Sequence, residues 1–188
     1  MSLILIDPGH GGSDPGAIVP QTAGALAGLK EKELNLEISL KLWRLLWEKG
    51  FLVSLTRMSD IDKSLAQRCE QANRLNAGFF ISIHCNASTN PEAEGIEAFH
   101  FPGSGLGKSW AEKIINSLSA LGRKIRGVKP ADFYVLKHTR GPAVLVECRF
   151  LTNPQEAKWL KNSTQQIARA LCQGIENCLK EFSSSIAP

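Results

Sequence analysis

The 188-residue chain predicts a single α/β domain with a mostly parallel central sheet flanked by helices on both faces. Two observations carry that expectation. Short apolar runs alternate along the chain with stretches of helical period, the order that builds parallel sheets. The composition is that of a folded domain: 43% hydrophobic and 21% charged residues are enough for one well-buried core, and the length suits one domain.

Leu3 to Asp7 reads as a buried first strand ending in a Gly-rich turn, and Thr22 to Lys30 as a loop. From Glu33 to Lys49 the apolar residues Leu34, Ile38, Leu42, Leu45 and Leu46 recur near the 3.6-residue period, and Gly50 stands where a helix C-terminal cap is expected. Phe51 to Thr56 alternates as a strand, Ser64 with Gln67 opens a helix to about Leu75 as a capping box, and Phe79 to His84 is a central strand. Gly95 to Phe101 predicts a strand, Gly107 to Leu121 a helix, Phe133 to Leu136 a short strand and Ala143 to Cys148 an apolar core strand. Asn153-Pro154 predicts a short helix, and Ser163 with Gln166 a cap for a separate last helix from Thr164 to Phe182. Residues 1–182 are expected to form one domain and 183–188 a flexible tail.

The formal charge of +4 is mild, and no basic run marks a nucleic-acid groove. No apolar stretch approaches the length of a membrane span, and Leu3-Ile4-Leu5-Ile6 is too short for the core of a secretory signal. The expectation is synthesis in a reducing cytoplasm. The five cysteines, odd in number and without a paired spacing, are accordingly expected to be free thiols.

Four stretches set chemically capable side chains beside strand ends or a helix start: Asp7-Pro8-Gly9-His10-Gly11-Gly12, Glu31-Lys32-Glu33-Leu34-Asn35, Ser82-Ile83-His84-Cys85-Asn86 and Val144-Leu145-Val146-Glu147. In such sheets ligands bind outside the carboxyl ends of the strands, so His10, His84 and Glu147 are expected in one crevice. Zinc takes imidazole nitrogen and carboxylate oxygen, and catalytic sites use three protein ligands. His10, Glu31 and His84 therefore read as the metal ligands and Glu147 as the base. Each has a plainer alternative: a structural or phosphate-binding turn for His10, a hydrogen-bonded core imidazole for His84, a helix-dipole contact for Glu31, and a salt bridge to Arg149 or Arg57 for Glu147. Glu147 is the sharpest signal, because burying an unpaired carboxylate in an apolar strand costs several kcal/mol. Strand alternation points Cys85 and Cys148 to the opposite face, as small core residues. His100 and His138 carry no partner pattern, and His138 is the better placed of the two to line a cleft.

With Ile6 to Gly12, Asp14-Pro15-Gly16-Ala17, Glu31 to Leu36, Thr56-Arg57 with Asp60, Arg68 with Ala72-Asn73, Ser82 to Ala87, Arg126-Gly127-Val128-Lys129 and Pro142 to Glu147 in this order, the chain resembles the zinc-dependent N-acetylmuramoyl-L-alanine amidases from about Leu3 to Leu179. The resemblance implies one zinc ion (Zn2+) held by His10, Glu31 and His84, with Glu147 catalytic. It also implies peptidoglycan as substrate, cut between the lactyl group of N-acetylmuramic acid and L-alanine. Arg149 stands where the family usually has a small residue, and could narrow the cleft or meet a stem-peptide carboxylate. A non-catalytic, zinc-containing module that binds cell-wall glycopeptide is the alternative from another class, and Glu147 argues against it. A phosphate-handling enzyme built on the Asp7–Gly12 loop would need a Gly-Lys-Ser/Thr sequence that is absent. A phage endolysin released on lysis, or a trimmed domain of a secreted autolysin, accounts for wall chemistry without an export signal. The interval from Cys85 to Val146 leaves no segment to act as a plug, so no protein activator is expected, and the chain is expected to act as a monomer.

Overall fold

A computed structural model describes residues 2–184, with side chains for residues 2–180. Its strands are β1 (Ile4–Pro8), β2 (Val53–Leu55), β3 (Phe79–Asn86), β4 (Ile96–His100), β5 (Ile125–Pro130) and β6 (Ala143–Phe150). Its helices are α1 (Glu31–Glu48), α2 (Leu65–Arg74), α3 (Gly105–Ser119), α4 (Tyr134–His138) and α5 (Pro154–Ser184). The strands form one sheet in the order β2-β1-β3-β6-β4-β5. Every neighbouring pair is parallel except β4 with β6.

Alternation along the strands sorts the interior into two layers. Ile4 and Ile6 of β1, Phe79, Ile81 and Ile83 of β3, and Val144 and Val146 of β6 face α1, α3 and α5. Leu5, Phe80, Ala143 and Leu145 face the other way, against α2 and α4. The first layer is the larger and holds the edge-to-face pair Phe79 and Trp110, with ring centroids 4.4 Å apart. Burying one such side chain contributes about 1.5–3 kcal/mol. Cys85 and Cys148 fall in this first layer, opposite His84 and Glu147, as strand alternation requires. All five cysteines are buried free thiols.

Helix α1 buries Leu34, Ile38, Leu42 and Leu46, the stripe read from the sequence. It ends where Gly50, at φ +82°, donates its N–H to Trp47 O. The capping box of α2 is present: Gln67 N–H reaches Ser64 Oγ, and Ser64 N–H reaches Gln67 Oε1.

Three expectations are corrected. Residues 133–136 are not a strand; α4 covers Tyr134–His138, and its consecutive Val135 and Leu136 are both buried, as one side of a short helix allows and a half-buried strand does not. The sixth strand is β5, a half-exposed edge strand whose Arg126, Gly127 and Lys129 mask any period-two signal. The final two helices are one. Ser163 does not cap a new helix but is buried in α5, and Thr164 Oγ1 donates to Glu37 of α1 while accepting from Lys41. A side-chain cap is favourable only where the backbone N–H groups are free, and here the helix has already supplied their partners. The tail expected at 183–188 falls at and beyond the end of the described residues.

Arg149 joins β6 to α5. Its guanidinium is buried, pairs through Nε and Nη2 with the buried Glu156 carboxylate, and lies 4.8 Å from the Trp159 ring centroid. The same Glu156 carboxylate accepts from Gly95 N–H, at the start of β4. Glu156→Ala is expected to cost about 3–5 kcal/mol in urea denaturation, because it strands a buried cation, whereas the apolar pair Arg149→Met with Glu156→Leu costs far less. A loss below about 1 kcal/mol for the single variant would show that Arg149 is satisfied without its partner.

Candidate active site

Strand β1 runs parallel to β3, and β3 to β6, so their carboxyl ends lie together; the loop leaving β1 supplies His10, and β3 itself supplies His84. Gly9 N–H extends the ladder to Ile83 O at 3.0 Å, which fixes the chain immediately before His10. His10 itself has φ +60°, rare for a residue with a side chain, and the surroundings hold it there. Arg68 donates to Pro8 O and His10 O; Arg57 donates to Pro8 O, Gly9 O and Lys32 O. Both guanidiniums are buried. Arg68 is neutralised by Asp7, whose carboxylate also accepts from Thr56 and Ser82 hydroxyls at 2.6 and 2.7 Å. Outside this core the loop is pinned by Asp60, which takes Gly12 N–H and pairs with Lys32, and by Asp62, which takes Ser13 N–H.

Glu31, the first residue of α1, projects its buried carboxylate between two imidazoles. Its Oε2 is 3.1 Å from His10 Nε2, and its Oε1 is 3.1 Å from His84 Nδ1. Backbone N–H of Ala17 and Cys85 and the side-chain amide of Asn35 complete its coordination at 2.9–3.0 Å. Burial raises the Glu31 pKa, but hydrogen bonds from His10 and His84 outweigh it and hold the carboxyl well below its usual range. Burial likewise lowers His10, and the contacts with Glu31 and Asp14 overcome it, lifting the imidazole to about 9. The other ring nitrogen, Nδ1, sits 2.8 Å from Asp14 Oδ2. A carboxylate only accepts, so Nδ1 carries a hydrogen, and Nε2, 3.1 Å from Glu31 Oε2, is the nitrogen that would give up its proton to offer a lone pair to a metal ion.

His10, Glu31 and His84 each offer one donor atom within 4.8 Å of the others, a group able to hold a metal ion. The chain makes room for it with glycine. A Cβ on Gly9 would lie 2.3 Å from the His84 ring, and one on Gly16, at φ +64°, would lie 2.6 Å from both Glu31 Oε2 and the His10 ring. Two imidazoles, one buried carboxylate and an outer carboxylate orienting a histidine fit zinc by donor type and by support.

Glu147 is paired in register with His84 across β3 and β6 and faces the same side of the sheet. Its Oε2 is buried without a hydrogen-bond partner, and the salt bridges considered for it are not made: Arg57 binds loop carbonyls and Arg149 binds Glu156. Burial, joined by the charges of Glu31 and Glu97, raises the Glu147 pKa to about 7 against the pull of His84 and His10. Such a group can take and return a proton near neutrality. Glu147 lines a cleft of about 660 Å³ shared with His10, His84, Arg68, Phe133 and the α4 residues Tyr134 and Val135. The walls of that cleft are mostly apolar. Arg149 does not border it and neither narrows it nor meets a substrate there. His138 stacks on Tyr134 instead of lining the cleft, and His100 Nδ1 donates to its own neighbour, Phe101 O.

Sequence reasoning placed Asp7, Asp14, Arg57 and Arg68 in the motifs of the family but gave Asp7, Asp14 and Arg68 no task, and Arg57 only that of a possible partner for Glu147. Their signal was the dense run of small and polar residues after β1, which needs long-range partners to hold it.

An α/β domain carrying a His, Glu, His donor group and an unpartnered acid at its strand ends has the make-up of a metal-dependent hydrolase. A family profile described as N-acetylmuramoyl-L-alanine amidase matches residues 4–177. The chain belongs to the N-acetylmuramoyl-L-alanine amidase family. It is similar to the N-acetylmuramoyl-L-alanine amidase LytC of Bacillus subtilis, 39% identical over 176 residues that are 91% of this chain and 34% of that protein. It is also similar to the endolysin of Bacillus phage SPP1, 34% identical over 198 residues covering 99% of this chain and 70% of the endolysin. The structure of the CwlD amidase from Clostridioides difficile, in complex with the GerS lipoprotein, superposes with a TM-score of 0.88 at 34% identity, covering 96% of this chain and 99% of that one. The chain thus spans about a third of LytC and most of the other two.

Removing the carboxylate behind His10 tests the geometry without touching the donor group. Asp14→Asn is expected to weaken metal affinity about 10–100-fold, read by competition with a chromophoric chelator, while the thermal midpoint of the metal-free protein changes little. Unchanged affinity would mean that Asp14 does not orient the imidazole.

Proposed function

We propose that this chain is a peptidoglycan amidase that hydrolyses the amide between the lactyl group of N-acetylmuramic acid and L-alanine, using one zinc ion held by His10, Glu31 and His84. The observation that carries the reading is Glu147 Oε2, buried without a hydrogen-bond partner beside that donor group. Bound zinc supplies electrophilic assistance to a carbonyl oxygen and acidifies water. The chain does the rest. The Glu147 carboxylate removes the proton of the attacking water and delivers it to the departing alanine nitrogen, so one carboxyl serves as base and then acid. Its raised pKa suits both halves of that transfer. Asp14 and the arginine-bound loop keep the His10 ring fixed, and the apolar wall of the cleft excludes water from the side away from the donors.

A wall-binding module with no activity has no use for an unpartnered acid at this position, and nothing in the site favours it. Relatives include both a phage endolysin and a bacterial amidase, and both support a role for this chain at the cell wall. Among the described residues no helix is long and apolar enough to cross a membrane. The metal and proton-transfer roles separate by mutation. His84→Ala should lose zinc and activity together; Glu147→Gln should keep near-stoichiometric zinc by elemental analysis but lose about 10²–10⁴ in kcat. Equal zinc loss in both variants would make Glu147 a ligand.

We further infer that the domain works as a monomer without an activator, although its relative CwlD was solved with the GerS lipoprotein. Between His84 and Glu147 the chain forms β4, α3, β5 and α4, and of these only α4 borders the cleft. The purified, zinc-loaded chain should release free amino groups from isolated peptidoglycan unaided. Inertness relieved only by a second protein would contradict this.

A further inference from the structure

Hydrolysis at the Glu147 carboxyl requires the substrate to leave the scissile amide in two directions, and the two rims of the cleft differ in chemistry. One rim is formed by Lys63, Ser64 and the start of α2. Lys63 Nζ spends two of its three donors on Thr56 O and Gln71 Oε1, leaving one for an anionic group. The other rim is aromatic. Phe133 is 40% and Tyr134 41% exposed, although both border the cleft. Each ring is backed by a second ring. Phe99 meets Phe133 edge-on at 5.1 Å, and His138 stacks on Tyr134 at 4.0 Å and 19°.

The backing is itself held. His138 Nδ1 lies 3.0 Å from Tyr134 O, Asn73 of α2 donates to His138 O at 2.8 Å, and the Asn73 carbonyl accepts Arg140 N–H. Val135 and Leu136 anchor the helix in the core. Two rings exposed over two-fifths of their surface yet fixed from behind are preorganised for a flat apolar ligand surface, because they have little rotamer freedom left to lose. Of the two halves of the substrate, the peptide is acidic and has no such surface, whereas a pyranose ring presents a face of C–H groups. Lys137 of α4 pairs with Asp132, so it offers an acidic peptide little attraction.

We propose that Phe133 and Tyr134 form the glycan subsite, a platform on which an amino-sugar ring of the glycan strand rests while the stem peptide runs toward Lys63 and Ser64. This rests on the amidase reading and adds to it the direction in which the substrate lies. The test compares two substrates of the zinc-loaded chain: a disaccharide stem-peptide fragment of peptidoglycan, and the same peptide carrying only a lactyl group on its alanine. Phe133→Ala and Tyr134→Ala should each raise KM for the sugar-bearing fragment about five- to tenfold with kcat nearly unchanged, and should leave the lactyl peptide unaffected; Tyr134→Phe should restore the wild-type KM. Binding of a peptide-free glycan strand to the Glu147→Gln protein should weaken by the same factor when Tyr134→Ala is added, a readout that needs no turnover. Wild-type cleavage with unchanged variants, or equal loss on both substrates, would overturn the subsite and leave the amidase reading intact. A wild-type chain that cleaves neither substrate would overturn both.

Discussion

The site depends on one buried carboxylate. Glu31 brings a negative charge under the surface at the first turn of α1, where its cost is offset by five contacts: two imidazoles, two backbone N–H groups and the Asn35 amide. Without such partners a buried carboxylate would protonate or draw in water. With them it fixes the distance between the β1 loop and the end of β3, so that one interaction sets both the donor geometry and the way α1 meets the sheet. The helix start adds a favourable dipole contribution, modest beside the charged hydrogen bonds.

Two arginines do for the backbone what Glu31 does for the side chains. The loop after β1 turns its carbonyl oxygens inward, and Arg57 and Arg68 bind them with fork geometry that lysine lacks. Asp7 holds Arg68 from below, through a carboxylate that also ties β1 to Thr56 and to Ser82. The strained φ of His10 is stable because these bonds over-determine it. Glu147 receives no such support, and that contrast gives the two carboxylates different tasks. Glu31 is kept ionised by its donors, while burial pushes Glu147 toward neutral pH and leaves Oε2 free for a proton.

Where the structure was legible in the sequence, the information was local. His84 and Glu147 stand at the ends of apolar strands, and period-two alternation alone separates them from Cys85 and Cys148. The α1 stripe and the Ser64 cap are equally local. The misread elements are those whose identity depends on distant neighbours. Four residues from Phe133 to Leu136 fit strand or helix, and the decision falls to Phe99, Cys69 and the β6 surface against which they pack. Ser163 has the chemistry of a cap, but Glu37 and Lys41 of α1 draw the next residue into a helix contact. Arg149 looked like a cleft residue because it stands two positions after Glu147, yet its guanidinium is drawn to Glu156 and Trp159 of α5. Arg57 and Arg68 act across separations that no short motif encodes, whereas Asp14 stands only four residues from His10.

The claim that Glu31 organises the centre is tested most directly by calorimetric titration of zinc into the metal-free protein, comparing wild type with Glu31→Gln. The glutamine keeps the shape and the amide contact but removes the charge, so this account predicts one equivalent bound by wild type and affinity lowered by at least about 100-fold in the variant, with both proteins folded by circular dichroism. Equal affinity and stoichiometry in the two proteins would contradict it, and would place the ion on groups other than the carboxylate between His10 and His84.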